Sequence, residues 1–250
     1  MKNAIIFVLE FLAIQLIGGS LVQFICGLFG LTDTTTLLIL TASVTSVLTI
    51  AFFLLSRQAE VSPQWLRTRP RAVLFWSVLA AMGALIPSAW LQEQLPELPN
   101  IVEQEFDMIL RNRWGYVTIG LLAPLSEELV MRGAVLKELL QTPRLSPWAA
   151  IAVSAVLFAL IHFNPAQMPH AFLIGLLLGW MYYRTGSILP GVAFHWVNNS
   201  VAYVLYNLYP NPDMKLIEIF GTGRNVGAAI IFSLFILLPS IYQLNIRMNK

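Results

Sequence analysis

Charge, cysteine and histidine are all scarce in this 250-residue chain: 11% of the residues are charged, one is cysteine and three are histidine. Soluble domains carry about 25% charged residues, so a water-soluble globular body is excluded. The lone Cys26 rules out an intramolecular disulfide, and its place in an apolar run suits a small packing residue rather than a nucleophile. A net charge of +2, with the basic residues confined to connections, forms no basic stripe and argues against nucleic-acid binding. Also missing are the His-Glu-x-x-His zinc signature, the Gly-x-Ser-x-Gly elbow, a Gly-Lys-Ser/Thr phosphate loop and a Cys–His pair. No internal repeat or low-complexity tract stands out.

What the chain has in abundance is apolar surface: 57% of it is hydrophobic and the mean hydropathy is +0.71. Apolar segments at 4–30, 36–55, 72–92, 115–136, 147–163, 170–183, 188–208 and 226–244 predict an all-α fold. Most approach the ~20 residues a bilayer demands, so residues 1–250 are read as one polytopic membrane bundle of about eight transmembrane helices. The 147–163 and 170–183 segments are short. A helix of 14 residues rises only ~21 Å, which fits helices that border a cavity or stop part-way across. The run from Ala4 to Leu31 is too long for a signal-peptide core and is read as a retained first span. The closing Arg247-Met248-Asn249-Lys250 is no lipidation box.

Orientation follows from the arginines. The 56–71 connection holds Arg57, Arg67, Arg69 and Arg71, whereas 93–113 holds Glu93, Glu97, Glu103, Glu105 and Asp107 against Arg111 and Arg113. Positive residues favour the cytoplasmic side, so the first connection is expected inside and the second outside. Eight spans then place both termini, Lys137, Arg144 and Arg184 in the cytoplasm, as expected for a bacterial inner-membrane protein. Trp90, Trp114 and Trp148 fall at span ends, where interfacial tryptophans collect.

Against this background, Ser126-Glu127-Glu128-Leu129-Val130-Met131-Arg132 sets three charges inside an apolar segment. Each would cost roughly 2.5 to 3.5 kcal/mol at the centre of a lipid-facing helix, so they must face a protein interior or a polar intramembrane cavity. Glu128 and Arg132 are four apart and can pair on one helical face. Glu127 points about 100° away, which leaves one acid neutralised and the other available.

All three histidines fall between His162 and His195. His162 precedes the helix-breaking Asn164-Pro165, His170 opens the next segment, and His195 shares a helical face with Asn199. Each has a plain structural reading: His170 as an interfacial or packing residue, Asn199 as glue between helices, Glu128–Arg132 as a purely structural pair, and Glu10 as a snorkelling or paired acid. The combination reads differently. An acid beside a histidine can hold a water and take its proton, while a second histidine and an amide donate to a developing oxyanion. The same side chains could instead hold zinc, with Glu127, His162 and His195 as ligands. Straight parallel helices would leave His195 ~10 Å and His162 ~22 Å from the inner edge. Convergence therefore requires a tilt, a deeper start of the fifth helix, or a break at Pro124.

Three ordered motifs, Glu127-Glu128-x-x-x-Arg132, Phe158-x-x-x-His162 and His195-x-x-x-Asn199, resemble those of the CAAX prenyl endopeptidase and bacteriocin-processing (CPBP, or Abi) family of intramembrane proteases. The resemblance covers roughly 115–208. It implies an intramembrane endopeptidase acting on a membrane-associated, prenylated or bacteriocin-like protein or peptide. By that resemblance Glu127 and His162 activate the attacking water, His195 and Asn199 form the oxyanion hole, and Glu128 and Arg132 orient the site. It favours a glutamate mechanism without cofactor, with a divalent metal such as zinc as the alternative. Two other classes stay open from the residues alone: a non-catalytic immunity or regulatory membrane protein, and a proton-coupled carrier. The carrier lacks the paired broken helices and visible repeat that often mark that class.

Overall fold

Each of the eight apolar segments lies on a helix. The computed structural model describes residues 1–59, 70–209 and 214–248; Arg67, Arg69 and Lys250, which entered the orientation argument, lie outside the described residues. In chain order the helices are α1 (Lys2–Leu28), α2 (Thr34–Leu55), α3 (Pro70–Glu93), α4 (Glu103–Leu110), α5 (116–140), α6 (Pro147–Leu160), α7 (Met168–Thr185), α8 (Leu189–Leu208), α9 (Leu216–Phe220) and α10 (Gly223–Arg247). No strand occurs among the described residues. Four helices, α1, α2, α3 and α10, are long and apolar enough to cross a membrane. Their outward faces expose Leu16, Ile17 and Phe24 on α1 and Phe232, Phe235 and Leu238 on α10, surfaces suited to lipid rather than water.

Three of the helices start where a short polar side chain satisfies a free N–H group. Asp33 accepts from Thr36 N at 2.8 Å ahead of α2, Ser146 accepts from Ala149 N at 3.2 Å with Pro147 in the first turn of α6, and Thr222 accepts from Asn225 N at 3.2 Å before α10.

Helices α5 to α8 carry the polar groups. Helix α5 is irregular in a defined way: Tyr116–Leu122 and Leu129–Leu136 are wide π-helical turns flanking the α-helical Ala123–Glu128. Such turns concentrate at functional sites because each re-aims the side chains beyond it. Pro124 does not break this helix. It sits in the first turn after the wide segment, where a missing N–H costs little, and the helix continues through it.

The short α6 ends at Leu160, and the chain turns at once through Phe163, whose φ is +49°. His162 therefore sits in the turn, off the helix. Helix α7 is longer than its sequence segment, beginning at Met168. It packs on α6 so closely that a Cβ at Gly175 would lie 3.0 Å from the Ala155 backbone and 3.3 Å from Phe158. Close backbone approach through small residues is a common way for membrane helices to associate.

The 93–113 connection, read from sequence as a loop, contains α4. Its apolar residues Val102, Phe106, Ile109 and Leu110 follow helical spacing, a signal present in the sequence but hidden among five acids.

Gly175→Val is expected to lower stability by about 1–3 kcal/mol through overpacking. Gly227→Ala, at a position with nothing within 4 Å of an added Cβ, is expected to be neutral or slightly stabilising. Thermal unfolding in detergent reads both, and equal melting temperatures for the two variants would contradict the close α6–α7 contact.

Candidate active site

The charged stretch of α5 is held from three sides. Arg132 Nη1 donates to Glu128 Oε1 at 2.7 Å, and neither residue is exposed. Arg132 Nη2 donates to the Gly175 carbonyl of α7 at 3.2 Å. The guanidinium lies 4.3 Å from the centre of the Phe158 ring of α6, a cation–π contact that strengthens when desolvated.

Glu128 Oε1 also faces His195 Nδ1 of α8 at 3.2 Å. A carboxylate can only accept, so Nδ1 carries a proton, and Nε2 is the nitrogen whose lone pair is free whenever the ring holds one proton. Glu128 fits because position 191 of α8 is glycine: a Cβ there would lie 2.9 Å from Glu128 Oε2.

Glu127 is separated from this pair, as its helical angle requires. Its side chain is one-fifth exposed, and its Oε2 lies 3.9 Å from His195 Nε2 with no hydrogen-bond partner among the described residues. His162 Nδ1 lies 2.7 Å from the Phe158 carbonyl. That oxygen accepts, so here too Nδ1 bears the proton and Nε2 is left with a lone pair. Phe158 meets both imidazoles edge-on, with centroids 5.0 Å from His162 and 5.7 Å from His195. One aromatic ring thus spaces two histidines and supports an arginine.

Asn199 is oriented by two contacts. Its Nδ2 donates to the Ile119 carbonyl in the first wide turn of α5 at 3.0 Å, and its Oδ1 accepts from Asn198 Nδ2 at 3.3 Å. A carbonyl cannot donate, so the amide orientation is fixed by chemistry and one N–H of Asn199 remains unused by these contacts.

A cavity of about 360 Å³ brings together Glu127, His162, His195 and Asn199. Two helices that looked mismatched in depth therefore share one site, because α6 ends early and His162 leaves it in a turn. Glu128 and Arg132 lie behind the cavity wall. Besides Tyr203 and Tyr206, three further polar residues line it that the sequence did not single out as catalytic: His170, Gln167 and Asn198. His170 had been read as packing, and Asn198 stands beside Asn199 in the same helical turn, so both were within sight. Among the described residues no three His, Cys, Asp or Glu side chains converge as a metal-ligand set. Glu127, His162 and His195 share the cavity without making the close three-ligand arrangement that zinc takes, at roughly 2.0–2.2 Å per bond.

Over the C-terminal end of α8, Tyr206 donates to Asp107 of α4, and Arg111 Nε reaches both Asp107 oxygens at 2.8 and 3.0 Å. The Tyr206 hydroxyl first, then Arg111, hold the Asp107 carboxyl below the usual carboxylate range.

Residues 110–201 match the family model described as type II CAAX prenyl endopeptidase Rce1-like. Comparison with curated proteins and with solved structures gives no match. The matched stretch begins at the last residue of α4 and ends within α8, so it contains every residue named in the charged cluster and the cavity's acid–histidine–amide set.

Removing one member of a buried ion pair leaves the other uncompensated at about 3–5 kcal/mol. Arg132→Met is accordingly expected to lose stability on that scale, and the double variant Glu128→Leu/Arg132→Met to recover a substantial part of it. Chemical or thermal unfolding in detergent measures this; a double variant less stable than the single would contradict the pairing.

Proposed function

From the premise that residues 110–201 are a domain of the CPBP family of membrane proteases, we propose that this integral membrane protein is an intramembrane endopeptidase. It hydrolyses a peptide bond of a membrane-associated protein or peptide, with a prenylated CAAX-type chain end as the first class to try. The observation that carries the reading is Glu127: an acid without a hydrogen-bond partner among the described residues, 3.9 Å from His195 Nε2, in a cavity also lined by His162 and Asn199.

In the proposed reaction, a water seated against Glu127 and the free Nε2 of His162 attacks the scissile carbonyl carbon. Glu127 takes one proton as the new C–O bond forms. The oxyanion receives the free N–H of Asn199 and, when the His195 ring enters the reaction with a second proton taken up from solvent, its Nε2–H. Collapse breaks the C–N bond, and the departing amine leaves with the proton from Glu127. Glu128 and Arg132 touch no reacting atom. They fix the tautomer of His195 and the position of α5 against α7.

Eight spans with both termini in the cytoplasm of a bacterial inner membrane belong to the same proposal, supported by the eight apolar helices and the arginine distribution. The partners it implies are lipid and a membrane-associated substrate.

The test is cleavage of a prenylated CAAX peptide by purified protein in detergent, read by mass spectrometry. Glu127→Gln is expected to reduce the rate by at least about 10²-fold with little change in melting temperature. Asn199→Ala should lower kcat with KM nearly unchanged, since its N–H acts in the transition state. Undiminished cleavage by Glu127→Gln would sink the proposal. Loss of stability in both variants, with no hydrolysis by the parent, would favour a non-catalytic membrane protein.

A further inference from the structure

Beside the candidate active site lies a second cavity of about 510 Å³, and the two have Phe106, Leu110, Gln167 and Tyr206 in common in their walls. Helix α4 and the end of α8 thus form a partition between them.

The partition is pinned at its ends and joined more loosely along its length. At one end, fully buried Asn164 donates to Asn100 Oδ1 at 2.8 Å and accepts from Ile101 N at 3.2 Å. At the other, Gly115 lets the chain pass so close that a Cβ would lie 1.9 Å from the Ile109 carbonyl. Between these points α4 meets α8 through Tyr206 to Asp107, Asn207 Nδ2 to the Leu110 carbonyl at 3.0 Å, and Tyr203 to the Asn112 carbonyl at 3.1 Å. The Asp107 and Arg111 side chains are 38% and 53% exposed, so water competes for these bonds. Ala202, exposed and lining the inner cavity, is four residues before Tyr206 and on its helical face.

Attack on the scissile carbonyl needs that group free of the i→i−4 hydrogen bond that a helix would give it. The scissile segment must arrive unwound, with its backbone N–H and C=O groups bare. The outer wall offers Asn100, Gln104 and Gln167, amides that both donate and accept. We propose that the outer cavity is the entrance subsite for an extended peptide segment, and that α4, latched by Asp107–Tyr206, swings from α8 to join it to the inner cavity. The choice of a peptide rests on the peptidase reading; the gate does not.

Thiol labelling tests this without requiring hydrolysis. In a Cys26→Ser background, Ala171→Cys reports on the inner cavity, where Ala171 is 4% exposed, and Gln104→Cys on the exposed outer wall. With a maleimide in detergent, Tyr206→Phe and Asp107→Asn are each expected to speed labelling at 171 about five-fold or more, as loss of a charged hydrogen bond allows, and to leave 104 unchanged. Equal rates at 171 with and without the latch, including no reaction in any variant, overturn the gate. An excess of a farnesylated CAAX peptide should cut the rate at 104 to about half or less by occupancy; no protection overturns the assignment of the outer cavity. Latch-sensitive labelling in a protein that cleaves nothing would count against the peptidase reading and leave the gate standing.

Discussion

The buried pair of Glu128 and Arg132 is the constraint on which the rest of this structure depends. Two full charges without solvent are costly unless their remaining hydrogen-bonding capacity is used. The fold meets part of that demand by bringing three other helices to the pair: His195 from α8 to one carboxylate oxygen, the Gly175 carbonyl from α7 to the guanidinium, and the Phe158 face from α6 beneath it, while Glu128 Oε2 and Arg132 Nε have no hydrogen-bond partner among the described residues. Each contact demands a particular residue nearby. Gly175 must lack a side chain for α7 to lie against Ala155 and Phe158 of α6, and Gly191 must lack one for Glu128 to fit. The pair is thus less a source of net stability than a device that leaves α5 to α8 one way to pack.

That arrangement also treats the two neighbouring acids differently. Glu128 is spent on Arg132 and His195, and the next residue back, Glu127, turns to the cavity instead. The histidines are divided similarly: each has its Nδ1 committed, His195 to Glu128 and His162 to the Phe158 carbonyl, and each keeps Nε2 uncommitted by those bonds. Outside this inner set, α1, α2, α3 and α10 supply the long apolar helices. The family match stops at the inner set, from Leu110 to Val201, so the shell is recognisable by its hydropathy alone.

How much of this the sequence disclosed depended on whether the relevant spacing was local. The Glu128–Arg132 pair follows from a four-residue separation, and the divergent aim of Glu127 from one helical step. The gathering of three histidines in an apolar chain pointed to segments that line one cavity, and the eight apolar runs located eight helices. What could not be read was geometry set by contacts between distant segments. The two wide turns in α5 leave no compositional trace, so Pro124 looked like a break. Depth counted along straight helices separated His162 from His195, because nothing local says that α6 stops at Leu160 and lets His162 swing out. Gly191 is silent in sequence, since its meaning lies in a carboxylate 63 positions earlier. Helix α4 was overlooked for a different reason: its apolar spacing was visible, but its acids were counted only for orientation.

The central claim is that Glu127, rather than a bound metal, activates the water that cleaves the peptide bond. The most direct measurement is hydrolysis of a prenylated CAAX peptide by purified protein stripped of metal with a chelator, with its metal content determined by mass spectrometry. The account predicts that the metal-depleted protein cleaves at the rate of the untreated protein. Activity that disappears with the metal and returns in proportion to added zinc would contradict it.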